Sequence, residues 1–383
     1  MILDSLKIEN FRALEKLDIN QLGRVNLIVG KNNVGKTTLL EAIEIYASLG
    51  FPLVLDKLLK KHGEKSDSNS LAIQNFFTGR KLFKDKMEFY IGDISARNYV
   101  KLKPTYFAYV EDKELPIKRP VPISFEKMND YEDTDYLLNI ESQNERITNS
   151  RKNALTQVVD FNSYDENIVL RKSKRNNIHD LKIPYVNIVT GYMKLEEKNS
   201  SRDKGTELRI LFTKWQNLSP NNEKEVVKAL HFIDDSIENL KFREGESEPC
   251  PFVYTKDYPE GISLFSMGDG IIRILELFIS MVSIKDGFLL IDEFENGLHY
   301  SVQTEVWKSL FKLANDLNVQ IFATTHSNDC IKGFKEASEE TTEPVMLFRL
   351  GRSIRNSDKG KVIVTEYDKE KLARATLAEL EVR

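Results

Sequence analysis

With 383 residues, 41% of them hydrophobic and 30% charged, the chain has material for a large buried core and a composition expected of a soluble, globular class. Single cores stop growing near about 250–300 residues, so two or more structural units are expected. Lys and Arg number 55 against 59 Asp and Glu, a net charge of −4, which excludes a globally basic nucleic-acid coat and leaves a local basic patch open.

Residues 2–8 and 14–19 alternate apolar and polar side chains and predict two strands joined across Glu9 to Ala13. Val25-Asn26-Leu27-Ile28-Val29 then reads as a buried strand. It feeds Gly30-Lys31-Asn32-Asn33-Val34-Gly35-Lys36-Thr37, a complete G-x-x-x-x-G-K-[ST] phosphate loop, and a helix that opens at Thr38 and runs to about Leu49. Gly50-Phe51-Pro52 stops this helix. A Lys-rich helix from Leu53 to Lys61, a polar loop to Ser70 and strands at 87–93 and 106–110 follow. Residues 111–205 are rich in Asn, Asp, Glu, Lys and Ser, with short apolar runs at 168–170 and 186–190. That pattern predicts an inserted lid or arm, without the heptads of a long coiled coil.

Spacings of three and four return over 206–240, at Leu208, Leu211 and Trp215 and then at Val226, Leu230, Ile233, Ile237 and Leu240, predicting two helices broken at Asn217 to Asn222. Short strands are expected at 252–254 and 262–265. Ser266-Met267-Gly268-Asp269-Gly270 leads into an apolar helix, and either a turn before a core helix or an anion-binding nest accounts for it. Gly287 to Ile291 is an apolar strand that ends in Asp292-Glu293. A helix from Tyr300 to Leu317 and a strand from Val319 to Thr325 precede His326-Ser327, and strands at 345–350 and 361–367 close the pattern.

The chemistry follows from these placements. Gly30 and Gly35 let the loop wrap so that backbone N–H groups face a polyphosphate, with the helix N-terminus as a fixed positive end. Lys36 supplies a point charge for the β- and γ-phosphates, and the Thr37 hydroxyl a ligand for Mg²⁺. A buried strand that delivers acids at its C-terminal end places them where open α/β sheets bind ligands. There Asp292 suits the metal and Glu293 suits the attacking water. His326, at the end of the next strand, can donate to a γ-phosphate. Cys250 and Cys330 are too few for a disulfide framework or a cysteine metal site and fit a reducing compartment. The N-terminus carries charge too early for a signal peptide, and no run of about 18 apolar residues occurs, so a cytoplasmic protein with no membrane partner is expected.

Taken in order, the phosphate loop, the Ser266-x-Gly268-x-Gly270 signature, Asp292-Glu293 and Thr325-His326-Ser327 resemble the ABC-type ATPase heads of the RecF/SMC-like and OLD (overcoming lysogenisation defect) group. Ile8-Glu9-Asn10-Phe11-Arg12 resembles that group's first strand. The resemblance spans residues 1–50 and 260–383. It implies an α/β P-loop NTPase head with an N-terminal mixed sheet, a central parallel sheet flanked by helices and an inserted lid. The lobes would be 1–110, 111–205 and 206–383. It implies ATP and Mg²⁺ as cofactors, with Gly30 to Thr38 binding the nucleotide and Thr37, Asp292 and a glutamine, for which Gln74 is the candidate, at the metal. Glu293, His326 and Lys36 would be catalytic, and Arg12 would approach the phosphates or base. Ser266, Gly268 and Gly270 would meet a nucleotide held by a second subunit, with Asn296 to His299 beside them, in an ATP-sandwiched homodimer or higher oligomer.

An SMC-like arm and a Toprim nuclease half are both missing from the pattern. The resemblance therefore implies a stand-alone bacterial ATPase that switches a separately encoded, operon-linked effector, such as a Toprim-like nuclease, in anti-phage defence. A RecF-like repair ATPase that binds DNA is the alternative, through Lys57, Lys60, Lys61, Arg171, Lys172, Lys174 and Arg175, charges that a solvated surface also explains. A transporter ATPase subunit fits the Phe11-Arg12 start and Asp269 poorly.

Overall fold

The computed structural model of the chain describes residues 2–64, 73–80, 88–111, 118–131, 134–144, 155–159, 185–188, 204–232, 234–244, 249–358 and 360–380. The apolar run at 168–170 and the cations Arg171, Lys172, Lys174 and Arg175 lie outside them.

Alternating strands β1 (Leu6–Phe11) and β2 (Leu14–Ile19) form a hairpin, and β3 (Val25–Gly30), buried along its whole length, enters the phosphate loop. Helix α1 (Lys36–Ala47) leaves it and ends where Leu49 and Gly50 take left-handed backbones, after which Pro52 starts α2 (Pro52–Lys61). Strands β4 (Phe89–Gly92), β5 (Tyr99–Glu111), β6 (Lys118–Ile123), β7 (Thr134–Gln143) and β8 (Leu155–Val159) extend the first hairpin into a seven-stranded sheet. Every described pairing in that sheet is antiparallel, which corrects the mixed pairing expected there.

Beyond it come β9 (Tyr185–Ile188), α3 (Lys204–Gln216), α4 (Pro220–Leu230), and a small sheet of β10 (Ile237–Glu244), β11 (Pro249–Thr255) and β12 (Ile262–Ser263). The remaining elements are α5 (Asp269–Val282), β13 (Phe288–Ile291), α6 (Tyr300–Asp316), β14 (Gln320–Thr325), α7 (Asn328–Glu340), β15 (Val345–Arg352), β16 (Val362–Asp368) and the short helix α8 (Lys369–Arg374). The central sheet has the order β16-β15-β3-β14-β13-β9, parallel except for β16. Residues 111–205 thus supply strands to both large sheets.

Period-two alternation in the central strands divides the interior into two cores. Leu27, Val29, Leu289, Ile291, Ile321 and Ala323 face α3 to α7, whereas Ile28, Phe288, Leu290 and Phe322 face α1 and the antiparallel sheet. Helix α1 is therefore sandwiched between two sheets, with Tyr46 against Phe288 at 6.2 Å between ring centroids. Ile237 and Leu240 belong to β10 and not to the second helix that their spacing predicts. A bulge sets Ile237 and Asn239 against consecutive residues of β11, so side chains three apart both reach the core.

Gln320 stitches the start of the chain to this frame. Its Oε1 accepts from the Leu3 N–H at 2.9 Å, and its Nε2 donates to the carbonyls of Leu3 and Gly23, both at 2.8 Å. Gln320→Leu strips partners from three buried backbone groups and should destabilise the fold by about 2–4 kcal/mol, read as a lowered urea midpoint; an unchanged midpoint would contradict this packing.

Candidate functional site

The C-terminal ends of β3, β13 and β14 lie side by side, and the loops leaving them form the site. The two loop glycines are dictated sterically. A side chain at Gly30 would stand 2.6 Å from the Leu350 carbonyl oxygen, and Gly35, with φ 99°, caps α1 in a conformation closed to most L-residues. Asn33 is also left-handed, at φ 62°. Lys31, Asn32 and Asn33 are exposed, Val34 is buried, and Thr38 stands in the first turn of α1. The Lys36 ammonium bridges the carbonyls of Gly30 at 2.7 Å and Lys31 at 3.0 Å. Burial pulls its pKa below the ordinary lysine value, against the opposing charges of Asp292, Glu295 and Glu293.

Asp292 is buried at the end of β13 and accepts from two hydroxyls. Thr37 Oγ1 donates at 3.1 and 3.3 Å, and Thr324 Oγ1 donates at 2.6 Å. Thr324 Oγ1 also accepts the Glu293 N–H at 2.8 Å. Glu293 itself is left-handed, φ 47°, and its carboxylate accepts from Asn296 Nδ2 at 2.7 Å. This strained turn sends the two adjacent carboxylates to different surroundings. Glu295 Oε1 accepts the His326 backbone N–H at 2.9 Å and lies 3.0 Å from His326 Nδ1, while its Oε2 is buried without a hydrogen-bond partner. The imidazole is half exposed at 48%, leaving Nε2 for another group.

These oxygens suit Mg²⁺. Among the described residues no group of three or more His, Cys, Asp or Glu forms an all-protein cage. One carboxylate and one hydroxyl, Asp292 and Thr37, are what Mg²⁺ takes from a protein when phosphates and waters complete its octahedron.

Other expected residues lie apart. Arg12, left-handed at φ 47°, donates through Nη2 to Glu64 at 3.0 Å, lies 3.5 Å from Glu41 and stacks over Phe76 at 5.3 Å. Gln74 sits in the 3-10 turn Ile73–Phe76, whose Phe76 carbonyl accepts the Arg12 N–H, and among the described residues no contact brings it to Thr37 or Asp292. Ser266 donates to the Ser263 carbonyl at 2.7 Å, Gly268 with φ 95° caps α5, and Gly270 lies in its first turn. None of these three contacts the loop of residues 30–37 among the described residues. Thr324, Glu295 and Arg352, which donates to the Asn33 carbonyl at 2.9 Å, are participants that the motifs do not announce. Each sits within two residues of a motif or strand end, the one local signal available.

Residues 1–331 match the family described as AAA ATPase domain. The chain is 24% identical over 350 residues to an ATP/GTP phosphatase of Helicobacter pylori, covering 86% of this chain and 87% of that protein. It is 38% identical over 78 residues to the DNA replication and repair protein RecF of Lactobacillus acidophilus, 20% of this chain and 18% of that one. In fold it resembles an SMC head domain bound to the C-winged helix domain of ScpA, with TM-score 0.50, 12% identity and 98% and 100% of the two chains covered. No described helix is long and apolar enough to cross a membrane.

Behind the loop, the Glu41 carboxylate on α1 is buried beside His62 Nε2 at 2.6 Å, Lys61 and Arg12. Burial pushes its pKa up, yet the His62 hydrogen bond and the charges of Arg12, His62 and Lys61 hold it below the ordinary value. A depressed carboxyl stabilises the fold fully above its unfolded pKa, about 4.3, and loses that contribution as pH falls through the lower folded value. Glu41→Gln should lower the urea midpoint near neutral pH and flatten its decline below about pH 5; an equally steep decline would contradict the network's role.

Proposed function

Since the chain belongs to the AAA ATPase domain family, we propose that it hydrolyses ATP between two heads and that head closure is its output. The observation that carries this is the buried Asp292 held by Thr37 of the phosphate loop and Thr324 of the neighbouring strand, with Glu293 and His326 on the adjoining turns. Lys36 and the loop amides bind and orient the polyphosphate. Thr37 and Asp292 would hold Mg²⁺, which would supply charge neutralisation on the phosphates. Glu293 accepts a proton from the attacking water, and Asn296 aims its carboxylate. Glu295 holds the His326 ring so that Nε2 is free to meet the nucleotide.

Among the described residues no hydrogen bond joins Ser266, Gly268 or Gly270 to their own phosphate loop, which supports a role against the nucleotide of a second copy. The exposed His299, which caps α6, and Tyr300, which opens it, follow the turn after Glu295 and suit the same interface. We extend the reading to a switch for a separately encoded effector, supported by a motif order that resembles that of the OLD group. The similarity to RecF favours DNA as the competing target, and salt-dependent DNA binding in the absence of any partner protein would support it.

Glu293→Gln should lower ATP turnover about 100-fold or more while ATP and Mg²⁺ drive the variant into a dimer seen by light scattering. Lys36→Ala should neither hydrolyse ATP nor dimerise. A Glu293→Gln protein that turns over normally and stays monomeric would refute the proposal.

A further inference from the structure

We propose that Arg352 is a positioning residue of the phosphate loop, holding the Asn33–Val34 peptide in the orientation that nucleotide binding uses. The inference rests on the reading of residues 30–37 as an ATP site.

Strand β15 runs parallel to β3 with Leu350 opposite Gly30, and the Leu350 carbonyl occupies the space where a side chain at Gly30 would stand. Two residues on, the Arg352 guanidinium holds two carbonyls at once. Nη2 donates to Asn33 at 2.9 Å, on the crest of the loop, and Nη1 donates to Gly360 at 2.8 Å, in the turn that returns to β16. A planar fork fixes the spacing of two acceptors in a way that a lysine ammonium does not. The hairpin that carries Arg352 is itself anchored on β2, through Lys361 to Glu15 at 3.0 Å and through Glu366 to the backbone and side chain of Asn20, both at 3.1 Å.

Asn33 takes a left-handed backbone, which asparagine adopts more readily than other non-glycine residues. In a trans peptide the following N–H points opposite to the carbonyl, and the described residues contain no cis bond. Pinning the Asn33 carbonyl to Arg352 therefore turns the Val34 N–H away from the guanidinium and the hairpin. Lys36 takes up the carbonyls of Gly30 and Lys31 from within the loop. Between them, the two cations fix three of the loop's carbonyls, and with them the direction of the next amide in each case. A cavity of about 520 Å³ separates the hairpin from the loop elsewhere, so the Arg352 bridge spans an otherwise open gap.

Because Arg352 is exposed, its worth to global stability is small, and its effect should fall on ligand affinity. The full chain is tested as wild type, Lys36→Ala, Arg352→Ala and Arg352→Lys, with ADP as the calorimetric probe, steady-state KM and kcat for ATP, and the thermal midpoint without nucleotide. Arg352→Ala should weaken ADP about tenfold and raise KM in proportion, with a smaller change in kcat and an unmoved midpoint. Arg352→Lys, reaching one carbonyl, should recover part of the affinity. Unchanged ADP affinity in Arg352→Ala overturns the inference, whether or not its midpoint falls. Wild type that fails to bind ADP, or Lys36→Ala that binds it normally, overturns the nucleotide reading instead.

Discussion

A buried carboxylate must be compensated, and Asp292 meets this demand by joining three separate segments. An ionised acid without partners in the interior costs several kcal/mol, so the fold either neutralises it or surrounds it with donors. Here the donors are the hydroxyls of Thr37, at the start of α1, and Thr324, near the end of β14. Bringing them within reach fixes how the ends of β3, β13 and β14 align. The same constraint shapes the next residue: Thr324 Oγ1 also takes the Glu293 N–H, and the chain turns through a left-handed Glu293. One carboxylate is thereby buried and fully engaged while its neighbour stays accessible.

The setting of α1 extends this constraint outward. The helix lies between the antiparallel sheet and the central sheet, and its apolar side chains fill the core that those two sheets share. On its far side Glu41 gathers Arg12, Lys61 and His62, so the helix that begins at the phosphate loop also carries a buried charge network one turn later. Arg12 is engaged there with Glu41 and Glu64. Any approach of Arg12 to a nucleotide exchanges these carboxylates for phosphate oxygens. Glu295 makes the corresponding link on the other side of the site, from the turn that carries Asn296 and His299 to His326.

What the sequence made legible was local. The phosphate loop, the apolar strand that ends in Asp292-Glu293 and the strand before His326 each declare themselves within about a dozen residues, because steric and burial rules act over that range. The α/β class and a parallel central sheet come with the family resemblance that these motifs carry, whereas the strand order, with β9 at one edge, does not. Thr324, Glu295 and Arg352 are set by contacts across 31 to 319 positions of the chain, and beyond their nearness to a motif or strand end a single sequence carries no signal for them. Ile237 and Leu240 show the opposite failure. Their three-residue spacing is a genuine periodicity, but a bulge in β10 imitates the helical repeat. Gln74 has no local pattern to place it: a glutamine in a loop carries none, and the fold sets it in the 3-10 turn whose Phe76 carbonyl accepts the Arg12 N–H.

If each catalytic site is composite, it takes Lys36 from one head and Ser266 from another. Mixing Lys36→Ala with Ser266→Arg tests this most directly, since a mixed pair of heads rebuilds one intact site from two defective chains. Each variant alone should be inactive, and the mixture should regain ATP hydrolysis. A mixture as inactive as its parts, or a Ser266→Arg protein as active as wild type, would contradict a composite site.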